Sequence, residues 1–168
     1  MDKIKQVIEA IEANTQEYIV IAIDGRCASG KTTLANKLAQ HFHANVFHMD
    51  DYFLRKEQRT KERLSEIGGN VDRERFIEEV ASKLHSDTDI VFAPFDCKTM
   101  ALKEKRTVKQ THVTIIEGSY AMHPLLRKYY DYMIYLTIDP QTQQNRIYER
   151  NPEKYDDFVN RWIPLEER

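Results

Sequence analysis

The segment YIVIAIDGRCASGKTTLANKLAQHF, residues 18–42, decides the fold. Residues 18–24 form a continuous apolar, β-branched run, which is typical of a strand buried on both faces of a parallel sheet. Residues 32–42 predict a helix. The residues between them, GRCASGKT (25–32), match the pattern G-x-x-x-x-G-K-T. A strand before this pattern and a helix after it are the context in which it binds phosphate.

The chemistry of this loop indicates a nucleoside triphosphate site. Gly25 and Gly30 allow the backbone to approach a phosphate closely, and successive N–H groups at the helix start face the anion. Lys31 is expected to reach the outer phosphates, and the Thr32 hydroxyl to bind Mg²⁺. Only five glycines occur in the chain and two stand here, which argues against a chance turn. The residues predicted to contact the nucleotide are Gly25, Arg26, Cys27, Ala28, Ser29, Gly30, Lys31, Thr32 and Thr33.

Composition limits the class of protein. The 168 residues suit a single domain spanning 1–168, and a net charge of -2 provides no basic field for nucleic acid or an anionic membrane. We find no apolar run long enough to cross a bilayer and no signal or transit peptide. Cys27 and Cys97 form no C-x-x-C pair, which favours a reducing cytoplasm. Cys27 inside the loop is either a reactive thiolate or, as we favour, a small buried filler.

The rest of the chain continues the alternation of strands and helices. Together with the first segment it predicts an α/β fold with a mainly parallel sheet. Two further segments, 89–97 and 106–110, predict a hairpin. Strands are expected at 45–49, 112–118 and 129–139, and helices at 2–13, 72–84 and 142–151.

Carboxylates follow two of these strands directly. Asp50 and Asp51 end the strand at 45–49, and Glu117 ends the strand at 112–118. Ligands gather at the carboxyl ends of parallel strands, so these side chains are expected beside the phosphate loop. A nucleotide-bound cation and an acceptor hydroxyl both need carboxylates there. Asp51 is equally compatible with a helix cap or a solvated charge.

Six motifs resemble the uridine kinase branch of the P-loop kinases, which is related to phosphoribulokinase and bacterial pantothenate kinase. They are GRCASGKTT, HMDDYF, GGNVD, APFDC, TIIEG and QNRIYERN, and they span nearly the whole chain. The resemblance implies a three-layer sandwich, with ATP and Mg²⁺ as cofactors and phosphoryl transfer to a hydroxyl of a small molecule. In this family a further strand follows the lid helices, and the sequence shows no such strand.

The resemblance also implies residue roles. Asp50 acts as the base or a metal partner, Asp72 holds sugar hydroxyls, and Glu117 joins Thr32 in holding Mg²⁺. Asp72 is equally suited to cap the helix that follows it. Arg146 and Arg150, in a lid at about 142–163, match arginines that clamp the transferred phosphate. Alternatively, Arg146 and Arg150 only form a solvated basic face of their helix. The catalytic set is thus Asp50, Lys31, Arg146 and Arg150.

The acceptor side departs from the family. The hairpin at 89–110 carries Phe95 and Asp96, but Met100 stands where the family has a His, so uridine itself is not favoured. In the lid, Asn151 replaces the usual Asp. The predicted substrate contacts are Asp50, Tyr52, Asp72, Phe95 and Asp96. His48, which precedes Asp50, is a candidate to line the same pocket.

Two alternatives stay open: a nucleotide-binding regulatory module without an acceptor, and a catalytically impaired kinase homologue. The N-K-x-D motif of GTPase-type switches does not occur in the sequence. The favoured partner is a small hydroxylated acceptor, and association into homo-oligomers is left open.

Overall fold

The structure, a computed structural model, describes residues 2–139, 141–143 and 145. Short 3-10 turns occur at Met49–Tyr52, Lys56–Gln58, Ala81–Lys83 and Arg127–Tyr129. In chain order the longer elements are α1 (Asp2–Ala13), β1 (Ile19–Gly25), α2 (Lys31–Phe42), β2 (Asn45–His48), α3 (Lys61–Ser65), α4 (Arg73–Glu79), β3 (Ile90–Phe92), β4 (Phe95–Asp96), β5 (Ala101–Leu102), β6 (Arg106–Val108), β7 (Val113–Glu117) and β8 (Tyr132–Leu136).

The central sheet has four parallel strands in the order β2-β7-β1-β8. Strands β1 and β7 pair from Ile19 opposite Val113 to Ile23 opposite Glu117, and β2 pairs with β7 up to His48 opposite Glu117. All seven residues of β1 and all five of β7 are buried, as their apolar runs predict for central parallel strands. The predicted α/β fold with a mainly parallel sheet is confirmed.

Two separate hydrophobic clusters cover the two faces of the sheet, because successive side chains of a strand point to opposite faces. The cluster that packs α1 and α2 against the sheet includes Ile11, Ile19, Ile21, Ile23, Leu34 and Leu38. The opposite cluster, which contains α4 and the start of the hairpin, includes Val20, Phe47, Phe76, Ile90, Phe92 and Ile116. The sheet therefore lies between two layers, as expected for a three-layer sandwich.

The predicted hairpin forms, but as two short ladders. Strand β3 pairs with β6, and β4 pairs with β5, both antiparallel. Pro94 stands at the break between β3 and β4, and a proline has no N–H to donate to a ladder.

The helix predicted over 72–84 is shorter in the structure. Helix α4 ends at Glu79, and the chain continues through Val80 at φ −120° and ψ −63° into the turn at Ala81–Lys83. Val80 and Leu84 are both buried, so this tighter turn directs both into the core beneath the helix. Of the predicted lid, only 142, 143 and 145 are described. Among the described helices, none is long and apolar enough to cross a membrane.

Candidate active site

The phosphate loop joins β1 to α2 and needs glycine at two positions. Gly25 has φ 152°, and a Cβ atom there would lie 2.3 Å from the Leu136 carbonyl oxygen of β8. Gly30 caps α2 with φ 96°, a left-handed conformation that L side chains rarely adopt. Both requirements explain the glycine positions of the motif. Cys27, inside the loop, is buried.

The Lys31 side chain bonds back to the start of the phosphate loop. Its ammonium donates hydrogen bonds to the carbonyl oxygens of Gly25 and Arg26, each at 3.0 Å. Arg26 in turn donates to the Ile138 carbonyl oxygen at 2.7 Å and to Gln143 Oε1 at 3.3 Å. The loop is thereby tied to the chain segment that leads into the predicted lid.

The ends of β1, β2 and β7 bring the predicted phosphate-binding and metal-binding side chains together. Thr32 Oγ1, on the first turn of α2, donates to Glu117 Oε2 of β7 at 3.4 Å. His48 Nδ1, at the end of β2, lies 2.5 Å from the other oxygen of the same carboxylate, Glu117 Oε1. Asp50 follows two residues later, in the turn at Met49–Tyr52. Lys31, Thr32, Asp50 and Glu117 therefore share the carboxyl edge of the sheet, as predicted from the sequence.

Loss of solvation, a hydrogen bond and neighbouring charges shift the pKa values of two side chains at this edge. Part of the Asp50 side chain reaches solvent, yet the surrounding protein removes enough water from the carboxylate to raise its pKa. The Glu117 carboxylate raises that pKa further, whereas His48 and Lys31 oppose the rise. The pKa of His48 is raised too, and its hydrogen bond to Glu117 is the largest cause.

The donor atoms at this edge suit magnesium. Mg²⁺ prefers oxygen ligands and is usually held by one or two carboxylates together with substrate phosphates. Thr32 Oγ1 and Glu117 Oε2 are such oxygens, so these residues fit the ion. Within the described part of the chain, His, Cys, Asp and Glu side chains form no group of three or more that could hold a metal ion.

Two predicted substrate contacts are aromatic rings that lie in the core. Tyr52 is fully buried, edge-on to Phe76 at 5.2 Å between ring centroids, with the Arg75 guanidinium 4.3 Å from its ring. Phe95 is also buried and lies edge-on to Phe53 at 6.2 Å. The structure therefore places both rings in protein contacts.

Asp72 and Asp96, two of the three predicted acidic substrate contacts, are partly engaged by neighbouring groups. Asp72 caps α4 by accepting from the Arg75 backbone N–H at 3.2 Å, and it accepts from Gln58 Nε2 at 3.1 Å. Asp96 accepts from the Lys98 backbone N–H at 3.0 Å. Asp72 also lines an open cavity of about 340 Å³, whose other lining residues are Leu54, Gln58, Arg63 and Glu74. The predicted arginines, Arg146 and Arg150, lie outside the described residues.

Two residues that organise the site were not predicted. Asp24 is buried at the end of β1 and accepts from the backbone N–H groups of Gly25 at 2.6 Å and Met122 at 2.9 Å. Burial raises the pKa of its carboxyl group. A carboxylate that ends an apolar run was the available signal, the same one that identified Glu117.

Arg75 is the second residue that organises the site without having been predicted. It connects three segments around the turn that carries Asp50. Its guanidinium donates to the Asp51 carbonyl oxygen at 2.9 Å, to the Ala93 carbonyl oxygen at 2.5 Å and to Glu79 Oε2 at 3.0 Å. The sequence provides no signal for this role, because the contacts join segments that are remote in sequence.

The fold and the loop together define a protein with the architecture of the P-loop kinases. No model of a protein family matches the sequence. A curated relative, "Uridine kinase-like protein 4" of Arabidopsis thaliana, is 25% identical over 156 residues, which cover 88% of this chain. The chain spans about a third of the length of that relative, 33%.

Solved structures extend the comparison. A possible uridine kinase from Bacillus stearothermophilus is 26% identical, with a TM-score of 0.70 and 95% of each chain covered. D-glycerate 3-kinase from Cryptococcus neoformans, 16% identical, has a TM-score of 0.61 with 98% of this chain and 87% of that chain covered, and so shares the fold. The resemblance to the uridine kinase branch of the P-loop kinases, predicted from the motifs, is confirmed.

Proposed function

We propose that this protein is an ATP-dependent small-molecule kinase that transfers the γ-phosphoryl group to a hydroxyl of a nucleoside or sugar-like acceptor. The observation that carries the proposal is the meeting of the phosphate loop with Glu117 and the Asp50 turn at one sheet edge. The names of two similar proteins, "Uridine kinase-like protein 4" and a possible uridine kinase, support the same reaction class.

Each residue has a distinct task in the proposed reaction. The loop amides and Lys31 hold the phosphates of ATP, so Lys31 exchanges its bonds to loop carbonyls for bonds to phosphate oxygens. Thr32 and Glu117, with Asp50, are the residues that would hold Mg²⁺, which neutralises charge on the phosphates when bound.

Asp50 orients the acceptor hydroxyl and accepts its proton as the oxygen bonds to the γ-phosphorus and the bond to ADP breaks. Arg146 and Arg150 are proposed to stabilise the charge of the transferred group.

On the acceptor side we propose contacts from Asp72 and Asp96, with Tyr52 and Phe95 shaping the pocket from within the core. The Asp72 side-chain oxygens accept two hydrogen bonds from protein groups and retain lone pairs for a substrate hydroxyl. Met100 cannot hydrogen-bond a pyrimidine edge as a histidine does, so we expect acceptors other than uridine to be preferred.

The test is an ADP-release assay with Mg·ATP and a panel of nucleosides, pantothenate, D-glycerate and phosphorylated sugars. Wild-type protein is compared with Asp50→Asn and with the control Asp89→Asn, which changes an exposed Asp outside the site. We expect acceptor-dependent release to fall by about 10²–10⁴-fold in Asp50→Asn and to stay unchanged in the control, because the variant removes the proton acceptor.

Two results would contradict the proposal. Equal acceptor-dependent release by wild type and Asp50→Asn would remove Asp50 from the reaction. ATP binding without release from any acceptor would favour the regulatory module or the impaired homologue.

A further inference from the structure

The contact between His48 and Glu117 has no part in the roles described above. The two residues are direct neighbours across the parallel pair β2 and β7, where His48 lies in register with Glu117. His48 Nδ1 lies 2.5 Å from Glu117 Oε1, and we assign a proton to Nδ1, which makes the histidine the donor and the Glu117 oxygen the acceptor. The sequence placed His48 beside Asp50, as a candidate to line the acceptor pocket, and did not indicate its contact with Glu117.

Glu117 uses its two oxygens for different partners. Oε1 faces His48, and Oε2 faces the Thr32 hydroxyl at 3.4 Å. The carboxylate is buried, with 5% of the side chain exposed, so few rotations remain once Oε1 is held. The histidine contact therefore determines which oxygen is directed toward the phosphate loop.

We propose that His48 is a positioning residue that holds Glu117 with its second oxygen directed at Thr32, so that the pair is set to receive Mg²⁺ with the nucleotide. This inference rests on the proposed function, because it concerns the same metal-nucleotide site. Partners that orient a ligating side chain commonly change metal affinity by about 10–100-fold when they are removed.

A purely structural role for His48 makes a different prediction. In that case His48 only satisfies a buried carboxylate, and its loss lowers stability without changing the response to Mg²⁺. The His48 side chain is 39% exposed, so it contributes little as a core filler. The Mg²⁺ dependence of nucleotide binding separates the two roles.

The experiment compares wild type with His48→Leu, His48→Asn and the control His41→Leu. His41 forms a similar contact with Glu12, at 2.6 Å, in the last turn of α2. The rise of a helix places it roughly 15 Å from the loop end of that helix. In His48→Asn the amide nitrogen is as many bonds from Cα as Nδ1 is, so the donor to Glu117 is retained.

Calorimetry measures ATP affinity with Mg²⁺ and with EDTA, and thermal unfolding monitors folding. In His48→Leu we expect the Mg²⁺-dependent gain in affinity to fall by about 10–100-fold. Affinity in EDTA should stay at the wild-type value. His48→Asn should recover most of the gain, and His41→Leu should match wild type.

Two outcomes overturn the inference. One is an unchanged Mg²⁺ gain in a folded His48→Leu, and the other is an equal loss in His48→Leu and His48→Asn. If instead wild type binds no ATP in either condition, the proposed function itself fails, and that result is distinct from both.

Discussion

At the scale of single residues, Lys31 illustrates how the loop is prepared for an anion. Its ammonium donates hydrogen bonds to two loop carbonyl oxygens, at 3.0 Å each, and these bonds fix its position within the loop. Asp24, at the end of β1, stabilises the same loop by accepting a hydrogen bond from the Gly25 N–H. The Asp24 bond shapes the loop before any phosphate arrives, and that reduces the ordering cost of binding. The two carbonyl bonds keep the Lys31 ammonium at the loop, and the proposed function requires Lys31 to exchange them for bonds to phosphate.

We expect Lys31→Met to weaken ATP binding by about 1.5–3 kcal/mol, roughly ten- to a hundredfold in the dissociation constant. The reason is the loss of charged hydrogen bonds to the phosphates. Calorimetric titration with Mg·ATP measures the effect, and Lys37→Met on the exposed side of the same helix is the control. Equal affinities of the two variants would show that Lys31 does not bind the nucleotide.

At the scale of elements, ion pairs join α3 and its following turn to α4. Arg63 makes a two-pronged contact with Glu74, at 2.6 and 2.8 Å, and Arg73 donates to Glu66 at 2.8 Å. The hydrogen bonds from these arginines lower the pKa values of Glu74 and Glu66 below the usual 4.5. The segment between these helices carries Gly69, whose Cβ would lie 1.8 Å from the Arg63 carbonyl oxygen.

We expect Glu74→Gln to lower stability by up to about 1 kcal/mol at pH 7, since the Glu74 side chain is 59% exposed and water screens its contact with Arg63. The folded-state pKa of Glu74 lies below its unfolded value, so the contribution is present above about pH 4.5 and disappears as pH falls through the folded pKa. Urea unfolding at several pH values measures the difference.

The matched control is Glu78→Gln, an exposed position on the same helix. A difference between wild type and Glu74→Gln that stays constant down to acid pH would contradict the ion-pair explanation.

At the scale of the whole molecule, the two hydrophobic clusters on either side of the sheet stabilise the fold together. Phe76 is fully buried in the cluster that contains α4, edge-on to Tyr52, and Leu38 is buried in the opposite cluster. Because β1 contributes side chains to both clusters, we expect a substitution that loosens either cluster to loosen the strand that leads into the phosphate loop.

We expect Phe76→Ala to lower the free energy of unfolding by about 3–5 kcal/mol and Leu38→Ala by about 2–5 kcal/mol, through lost burial and the cavities left behind. Leu125→Ala, at a side chain that is 55% exposed, should change it by less than about 0.5 kcal/mol. Denaturant unfolding measures all three. A small effect of either core substitution would mean that its cluster is not part of the cooperative core.

The sequence alone determined the class of fold and the loop. Apolar runs at β1 and β7, and the glycines of GRCASGKT, have strong local signatures because strand burial and tight phosphate turns impose them on adjacent residues. The hairpin was also predictable, although Pro94 divides it. The shortening of α4 was not, because it depends on how Val80 and Leu84 pack beneath the helix.

Only the tertiary structure decided which side chains meet. Glu117 contacts Thr32 across 85 residues and His48 across 69, and both contacts follow from the strand order β2-β7-β1-β8. Periodicity in a sequence reports which face of an element is buried, but not which element becomes its neighbour. For the same reason the burial of Tyr52 and Phe95 and the connecting role of Arg75 emerged only from packing, because the partners of a side chain are set by the assembled layers.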